Sequence, residues 1–360
     1  MVIFHNIYKM NRKDQWDEVF IQQSAIGLNS RSEANPFYGS NSLTPNTFPI
    51  FVAPMDTVVS HENLDEFTSR GLNVCIPRMP DTNFNSIEKI NNVQTFYSVS
   101  LTLFEKIIQK DDSPNYRILI DVANGNMPQL HDLIRQAKAK FGEKIIIMAG
   151  NVGSVDAFVT LDQTGVDFIR VGIGGGSACN TAIHTGIYQH TPQLLKELSL
   201  RINNAKIVAD GGFKSYSQII KALALGADYV MCGGIFNKAL ESSSEKVLFW
   251  ENMDDKPKKL NAKTPLKDLI TYMQRDELFT LYRGMSTQEV QRKWGKDKIR
   301  HSEGKSFYNK VEYTLDEWIN GSEWNPDDIA GFINVLKSTM SYTGCRTILE
   351  LIKGDLIINL

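Results

Sequence analysis

The chain has 360 residues, of which 42% are hydrophobic and 22% charged, and its formal net charge is −2. This is ordinary globular composition, long enough for a large core and for one barrel with insertions. The near-neutral balance excludes a general polyanion binder, so no nucleic-acid partner is expected and any phosphate site has to be local.

No apolar run reaches the roughly 18 residues of a membrane span, so no membrane partner is expected either. The four cysteines, Cys75, Cys179, Cys232 and Cys345, are widely spaced and form no CxxC pair, which argues against a disulfide framework or a zinc site. The opening MVIFHNIYKMNRKDQWDE is too charged for a signal peptide, and a reducing, cytoplasmic location is expected.

Short apolar strands alternate with helical patterns. A strand is predicted over residues 50–55, then a helix over 61–70 behind Ser60, a good N-cap. Strands follow at 73–76, 96–101 and 117–121, and residues 127–141 carry apolar side chains at helical spacing. Next come a strand at 144–149, a helix over 155–164 capped by Ser154, and a strand at 168–171. A helix over 192–203 follows Thr191 and has proline in its first position. The strand at 206–209, a helix over 215–225 ending before Gly226, and the strand at 229–232 complete the series.

Residues 237–280 are lysine-rich, with one helical piece around 266–274, and residues 281–325 are polar with a tryptophan-containing turn region. Both read as long excursions from the eighth unit, of the kind that forms lids or binding loops. The expectation is a single barrel domain over 1–360, with a flap and insertion region at about 237–325, closed by an amphipathic helix pair over 327–352.

Eight strands, each followed by a helix-length segment, imply the α/β class with a parallel sheet; continuous apolar strands favour a closed TIM (β/α)8 barrel. An open doubly wound sheet would carry GxGxxG opening a helix. The nearest run, Gly172 to Ser177, has the wrong third position and enters a long loop. In a barrel, active-site residues sit just after the strand C-termini. Those positions hold Asp56, Asp121 with Asn124, Asn151, the loop 172–190, Asp210 with Gly211 and Gly212, and Gly233 with Gly234.

The loop GIGGGSACNTAIHTGIYQH has five glycines within fifteen residues, which lets backbone amides approach a ligand or form an anion nest. Cys179 lies inside it. A thiol with a free pKa of about 8.5 needs help to ionise, and nearby amides can supply it. A turn-forming glycine cluster with an inert cysteine is an equal reading on local sequence; the position after strand six favours a nucleophile. VADGGF and MCGGIF follow strands seven and eight, where many barrels bind phosphate through loop amides, and Asp210 is placed for ribose hydroxyls. The paired glycines serve tight strand–helix turns equally well. Thr181 is a candidate proton relay. Glu303, in HSEGK, is a candidate acid or base, although a lone glutamate is more often a solvated charge. His184, His190 and His301 are weaker candidates, and no HxH, HExxH, GxSxG or Walker pattern occurs.

Taken together, APMDTV, IDVANGN, MAGNV, VGIGGGSACNT, ADGG, MCGG, YRGMS and SEGK resemble, in order, the motifs of the inosine monophosphate dehydrogenase and GMP reductase family. The resemblance leans to GMP reductase. IDVANGN is similar to the reductase form. A regulatory CBS pair would fall near residues 78–95, where there is no room for it. Between Ser286 and Glu303 the sequence has Arg292-Lys293-Trp294 and Arg300-His301, not the dehydrogenase's Arg-Tyr pair.

The resemblance implies NADPH-dependent reductive deamination of GMP to IMP and ammonia. Cys179 would attack carbon 2, with Thr181 and Glu303 managing protons. It also implies Ser177, Gly212, Gly233 and Gly234 around the phosphate, Asp210 on the ribose, and Tyr282, Gly284, Met285 and Ser286 near phosphate and base. Asp121, Asn124 and Asn151 would face the nicotinamide. Carbonyls of Gly174, Gly176 and Cys179 would hold a monovalent cation such as K+, and the assembly would be a homotetramer. The alternatives are an IMP dehydrogenase without a CBS domain and a catalytically altered purine-nucleotide-binding barrel. The loop departs from the family pattern at Gly175, Asn180 and Ala182, where proline, threonine and arginine are usual.

Overall fold

The computed structural model of the protein describes residues 15–39, 46–79, 82, 87, 93–109, 116–249, 257–261, 263–293 and 304–358. Eight parallel strands close into a barrel. They are β1 (Ile50–Val52), β2 (Asn73–Ile76), β3 (Thr95–Val99), β4 (Tyr116–Ile120), β5 (Ile145–Val152), β6 (Phe168–Val171), β7 (Lys206–Asp210) and β8 (Tyr229–Cys232). Each pairs with the next in chain order, and β8 closes on β1 with Val230 opposite Ile50 and Cys232 opposite Val52. All eight lie where the apolar runs placed them.

The two-residue period of a strand sorts their side chains into two layers. Phe51, Phe96, Leu119, Met148, Val208 and Met231 fill the barrel. Phe51 meets Phe96 and Phe168 edge to face at 5.6 and 5.9 Å. Ile50, Val52, Val74 and Ile118 pack outward with helix residues such as Phe67, Ile134 and Leu223. Losing an aromatic ring such as Phe51 from this interior costs about 3–5 kcal/mol.

The barrel helices include α1 (Leu64–Thr68), α2 (Leu101–Gln109), α3 (Pro128–Phe141), α4 (Val155–Asp162), α5 (Thr181–Thr185), α6 (Thr191–Ser199), α7 (Tyr216–Ala224) and the short α8 (Gly234–Asn237). Ser154 caps α4 as expected, accepting from the Ala157 amide; Ser215, expected as the first residue of its helix, is instead the cap of α7 and accepts from the Gln218 amide. One expected cap and one further helix start are corrected. Ser60 does not cap α1, which begins at Leu64; Asn63 accepts from the Ser60 amide and donates to the carbonyls of Val58 and Glu241, holding 60–63 as a loop. Thr191 is the first residue of α6 and Pro192 the second, and His190 is the cap, its Nδ1 accepting from the Gln193 amide.

Beyond the barrel, β9 (Lys246–Leu248), β10 (Lys258–Lys259), β11 (Leu278–Arg283) and β12 (Ser306–Lys310) form an antiparallel sheet in the order β10-β9-β11-β12. The helix α9 (Leu266–Gln274) has the bounds expected of it. Leu240, Leu248, Met273, Leu278 and Val311 make a small separate core there. The helix α10 (Gln288–Lys293) continues from β11. The tryptophan-containing region is not only a turn: a capping box between Thr314 and Glu317 starts α11 (Leu315–Asn320). The closing pair is α12 (Phe332–Thr343) and α13 (Ile348–Lys353), and Trp318 stacks on Phe332 at 5.2 Å. Among the described residues no helix is long and apolar enough to cross a membrane.

Candidate active site

The loop after β6 is shaped by its glycines. Gly172 has φ +120°, and a Cβ there would stand 2.6 Å from the Asp210 carbonyl oxygen, so only glycine lets the loop leave beside β7. The Cys179 amide donates to the Gly176 carbonyl at 3.0 Å, turning the chain so that α5 starts at Thr181. The partly exposed Cys179 Sγ then lies 3.3 Å from Thr181 Oγ1 and donates to it. The other three cysteines are buried. Burial pushes the Cys75 and Cys232 thiols well above their ordinary pKa, which keeps them protonated.

A cavity of about 320 Å³ opens over this thiol. Cys179, Thr181, Ser177, Gly174 and Gly176 line one side. Asp210, Gly212, Gly233 and Gly234 line the ends of β7 and β8. Tyr282, Gly284, Met285 and Ser286 enter from the end of β11. Gly212 has φ +88°, and a Cβ there would meet the Gly175 carbonyl oxygen at 2.6 Å. The two glycine segments therefore pack backbone on backbone. This end of the cavity offers amides and the Ser177 and Tyr282 hydroxyls, a donor set suited to phosphate. Burial raises the Tyr282 pKa, opposed by a hydrogen bond with Ser177, so the phenol stays neutral.

Asp210 is paired with the Arg170 guanidinium at the end of β7. Its Oδ2 accepts from Arg170 Nε and Nη2 at 2.9 and 2.7 Å and from Asn151 Nδ2 at 2.8 Å. Burial alone would lower the Arg170 pKa, but Asp210 and Asp121 outweigh it and hold the guanidinium above its ordinary value. Arg170 was not among the residues singled out from sequence. Its signal is one charge inside the apolar strand FIRV. Asn151 also donates to the Gly172 carbonyl at 3.0 Å, so its amide is committed to this network. Asp121 and Asn124 stand outside the cavity lining. Asp121 is 3.5 Å from Arg78 Nε, and Asn124 Oδ1 accepts from the Asn126 amide.

Arg283 was also missed, although its partner Asp56 was among the strand-end positions named from sequence. Arg283, 5% exposed, is ion-paired with Asp56 at the end of β1 and with Glu289 on α10. It ties the β11 arm to the barrel rim, and the Met285 thioether accepts from the Asp56 amide at 3.5 Å. The arm also reaches the cysteine loop. The Lys305 amide donates to the Ala178 carbonyl, the Gly284 amide to the Lys305 carbonyl, and Gly304 bridges Cys179. Glu303, Arg300 and His301 lie outside the described residues. Among the described residues no group of three or more His, Cys, Asp or Glu is placed to hold a metal ion.

A family model described as the IMP dehydrogenase / GMP reductase domain matches residues 103–256. The chain is 26% identical to a GMP reductase of Pediococcus pentosaceus over 319 residues, covering 86% of this chain and 85% of that protein. It is 29% identical to a GMP reductase of Staphylococcus epidermidis over 279 residues, covering 69% and 84%. It is 30% identical to a GMP reductase of Streptococcus equi subsp. equi over 229 residues, covering 61% and 68%.

Proposed function

The chain belongs to the IMP dehydrogenase and GMP reductase family, and from that premise we propose that it converts GMP to IMP and ammonia with NADPH, through a covalent thioimidate on Cys179. The observation that carries the reading is the Cys179–Thr181 contact inside a nucleotide-sized cavity whose far wall is bare glycine backbone. The reductive direction is supported by the three relatives, all GMP reductases, and by the sequence between Ser286 and Glu303, which lacks an Arg-Tyr pair to activate water.

In this mechanism the phosphate lies against Ser177, Gly212, Gly233, Gly234 and Tyr282, and the ribose hydroxyls meet Asp210. Oδ2 is already held by Arg170 and Asn151, which orients the carboxylate towards the ligand. Gly284, Met285 and Ser286 close over the base. Thr181 receives the thiol proton and passes it on. The Cys179 sulfur then bonds carbon 2 of guanine, and the bond from carbon 2 to the exocyclic nitrogen breaks. Thr181 and Glu303 deliver the protons that let this nitrogen depart as ammonium. Covalent catalysis divides one hard displacement into two easier ones. When bound, NADPH supplies the hydride that takes the amino group's place. As the carbon–sulfur bond breaks, its electron pair returns to Cys179 as thiolate. The balance is GMP, NADPH and two protons giving IMP, ammonium and NADP+.

The residues present suit the cofactor. Ile183 on α5 and Ile187 just after it, 66% and 57% exposed, give apolar surface on which a nicotinamide can lie. Asp121 and Asn124 stand at the rim, and Asn151 orients Asp210. Carbonyls of Gly174, Gly176 and Cys179 are hard oxygen donors of the kind a K+ ion takes. A homotetramer is part of the same proposal.

The test is absorbance of reduced nicotinamide, with NADPH and GMP in one cuvette and NAD and IMP in another. Oxidation that requires GMP is expected. Reduction of NAD with IMP would reverse the assignment in favour of the dehydrogenase, and silence in both would refute turnover of either nucleotide.

A further inference from the structure

The cysteine loop is held by a residue from far upstream. Gln15 Oε1 accepts from Tyr188 Oη at 3.1 Å and from the Thr191 amide at 3.0 Å. Both partners belong to the return leg of the loop, 173 and 176 residues along the chain. Thr191 is the first residue of α6, so its amide has no partner within that helix. On the outgoing leg, a Cβ at Gly175 would lie 3.4 Å from Gln15 Nε2, an ordinary contact distance. One side-chain amide therefore lies against both legs of the loop that carries Cys179.

The backbone that presents Gln15 is anchored. Trp16 is fully buried, and its ring lies 5.2 Å from that of Phe213, the residue after Gly212. Lys221 Nζ on α7 donates to the Trp16 carbonyl at 2.9 Å. Fixing the neighbouring residue reduces the entropy lost in holding the Gln15 side chain in place. From Gln15 the contacts run on to the thiol. A Cβ at Gly174 would meet the Tyr188 ring at 3.2 Å and Ala182 Cβ at 2.9 Å, so both side chains close on the bare glycine. Ala182 lies in α5 beside Thr181, whose hydroxyl accepts from Cys179 Sγ at 3.3 Å. A shift of the Tyr188 ring reaches the Cys179–Thr181 pair through this packing.

We infer that Gln15 is a positioning residue for the site: its carbonyl oxygen latches the return leg of the loop and so sets Cys179 against Thr181. This rests on the proposed role of Cys179 as nucleophile. Both contacts are donors aimed at Oε1, so the working atom is an acceptor. A carboxylate can replace it, and its charge is favourable at the start of α6. An aliphatic side chain cannot.

The test is steady-state NADPH oxidation with GMP in the parent, Gln15→Leu and Gln15→Glu, together with hydrogen exchange over the peptide spanning 172–191. In Gln15→Leu kcat is expected to fall about tenfold, the factor that two neutral hydrogen bonds supply, while the KM for GMP stays within about threefold. The KM is spared because Gly212, Gly233, Gly234 and Tyr282 lie off this loop. Gln15→Glu should bring kcat back to within about twofold of the parent. Exchange over 172–191 should be about tenfold faster in Gln15→Leu and parent-like in Gln15→Glu. A parent-like kcat in Gln15→Leu, a fall that Gln15→Glu shares equally, or a raised KM at unchanged kcat overturns the inference. The parent separates the two readings. Turnover of GMP by the parent, matched by Gln15→Leu, refutes the latch alone. Without turnover in the parent the proposed reaction fails and exchange decides the latch: faster exchange in Gln15→Leu, reversed in Gln15→Glu, upholds it, and equal exchange in all three overturns it.

Discussion

The ion pair between Arg283 and Asp56 makes a sharp prediction, because it joins two parts of the site that are far apart in sequence. Both side chains are buried, 6% and 8% exposed. Arg283 Nε donates to Asp56 Oδ1 at 3.1 Å, and its Nη2 donates to Oδ2. Removing one partner of a buried pair costs about 3–5 kcal/mol. In Asp56→Asn the Arg283 guanidinium keeps Glu289, whose side chain is 56% exposed, and a neutral amide oxygen still accepts one bond. Those remnants bring the expected loss to about 2 kcal/mol, or roughly thirtyfold in the equilibrium that docks the arm. The arm carries Tyr282 to Ser286, whereas Cys179 and Thr181 sit on the β6 loop. The KM for GMP should therefore rise by about ten- to thirtyfold, with a smaller fall in kcat, measured from initial rates of NADPH oxidation. The melting temperature should move by only a few degrees, because the barrel core is untouched. A KM within twofold of the parent would refute the claim that this pair docks the arm.

Cys179→Ala should abolish turnover while leaving the melting curve and nucleotide binding intact; residual turnover near the parent rate would remove Cys179 from the mechanism. Arg170→Met strands the Asp210 carboxylate in a buried site and should cost about 3–5 kcal/mol in denaturant unfolding. Adding Asp210→Asn should recover most of that stability without recovering turnover, and a stable, active single variant would contradict the account. Gly212→Ala places a methyl group against the Gly175 carbonyl at a φ of +88° and should lower both stability and nucleotide affinity by at least about tenfold; parent-like binding would show that the glycine segments are not in close contact. Lys246 is buried, with its ammonium donating to the Ser242 and Ser244 carbonyls and to Ser242 Oγ. Burial lowers its pKa to about 7, against the raising effect of Glu241. Between about pH 7 and its ordinary value of 10.5 the unfolded chain holds more protons than the fold, so stability rises with pH there and is lost as pH falls. The melting temperature of the parent minus that of Lys246→Met should climb from pH 6.5 to 9.5, and a flat difference would refute the buried charge.

What the sequence made legible follows from the range of the forces involved. The eight barrel strands are largely buried on both faces, so each is a mostly apolar run that stands out locally. Strands β2, β6 and β8 have the bounds that composition alone suggests. The sheet β9–β12 was not legible for the opposite reason. Lys258–Lys259 is exposed and charged, and Ser306–Lys310 has no buried face, so these residues are strands only because β9 and β11 lie beside them. The site divides in the same way. Cys179 and Thr181 are two residues apart within a glycine-rich loop, and the pattern marks both. Arg170 and Arg283 are each a single charge in a strand. Their partners Asp210 and Asp56 lie 40 and 227 residues away. Sequence thus announces chemistry whose partners are neighbours along the chain. It hides chemistry that exists only where the barrel brings strand ends together, and in this protein those hidden pairs orient Asp210 and dock the arm. The loop accordingly marks the proposed nucleophile, while the guanidinium pairs fix the strand ends and the arm around it.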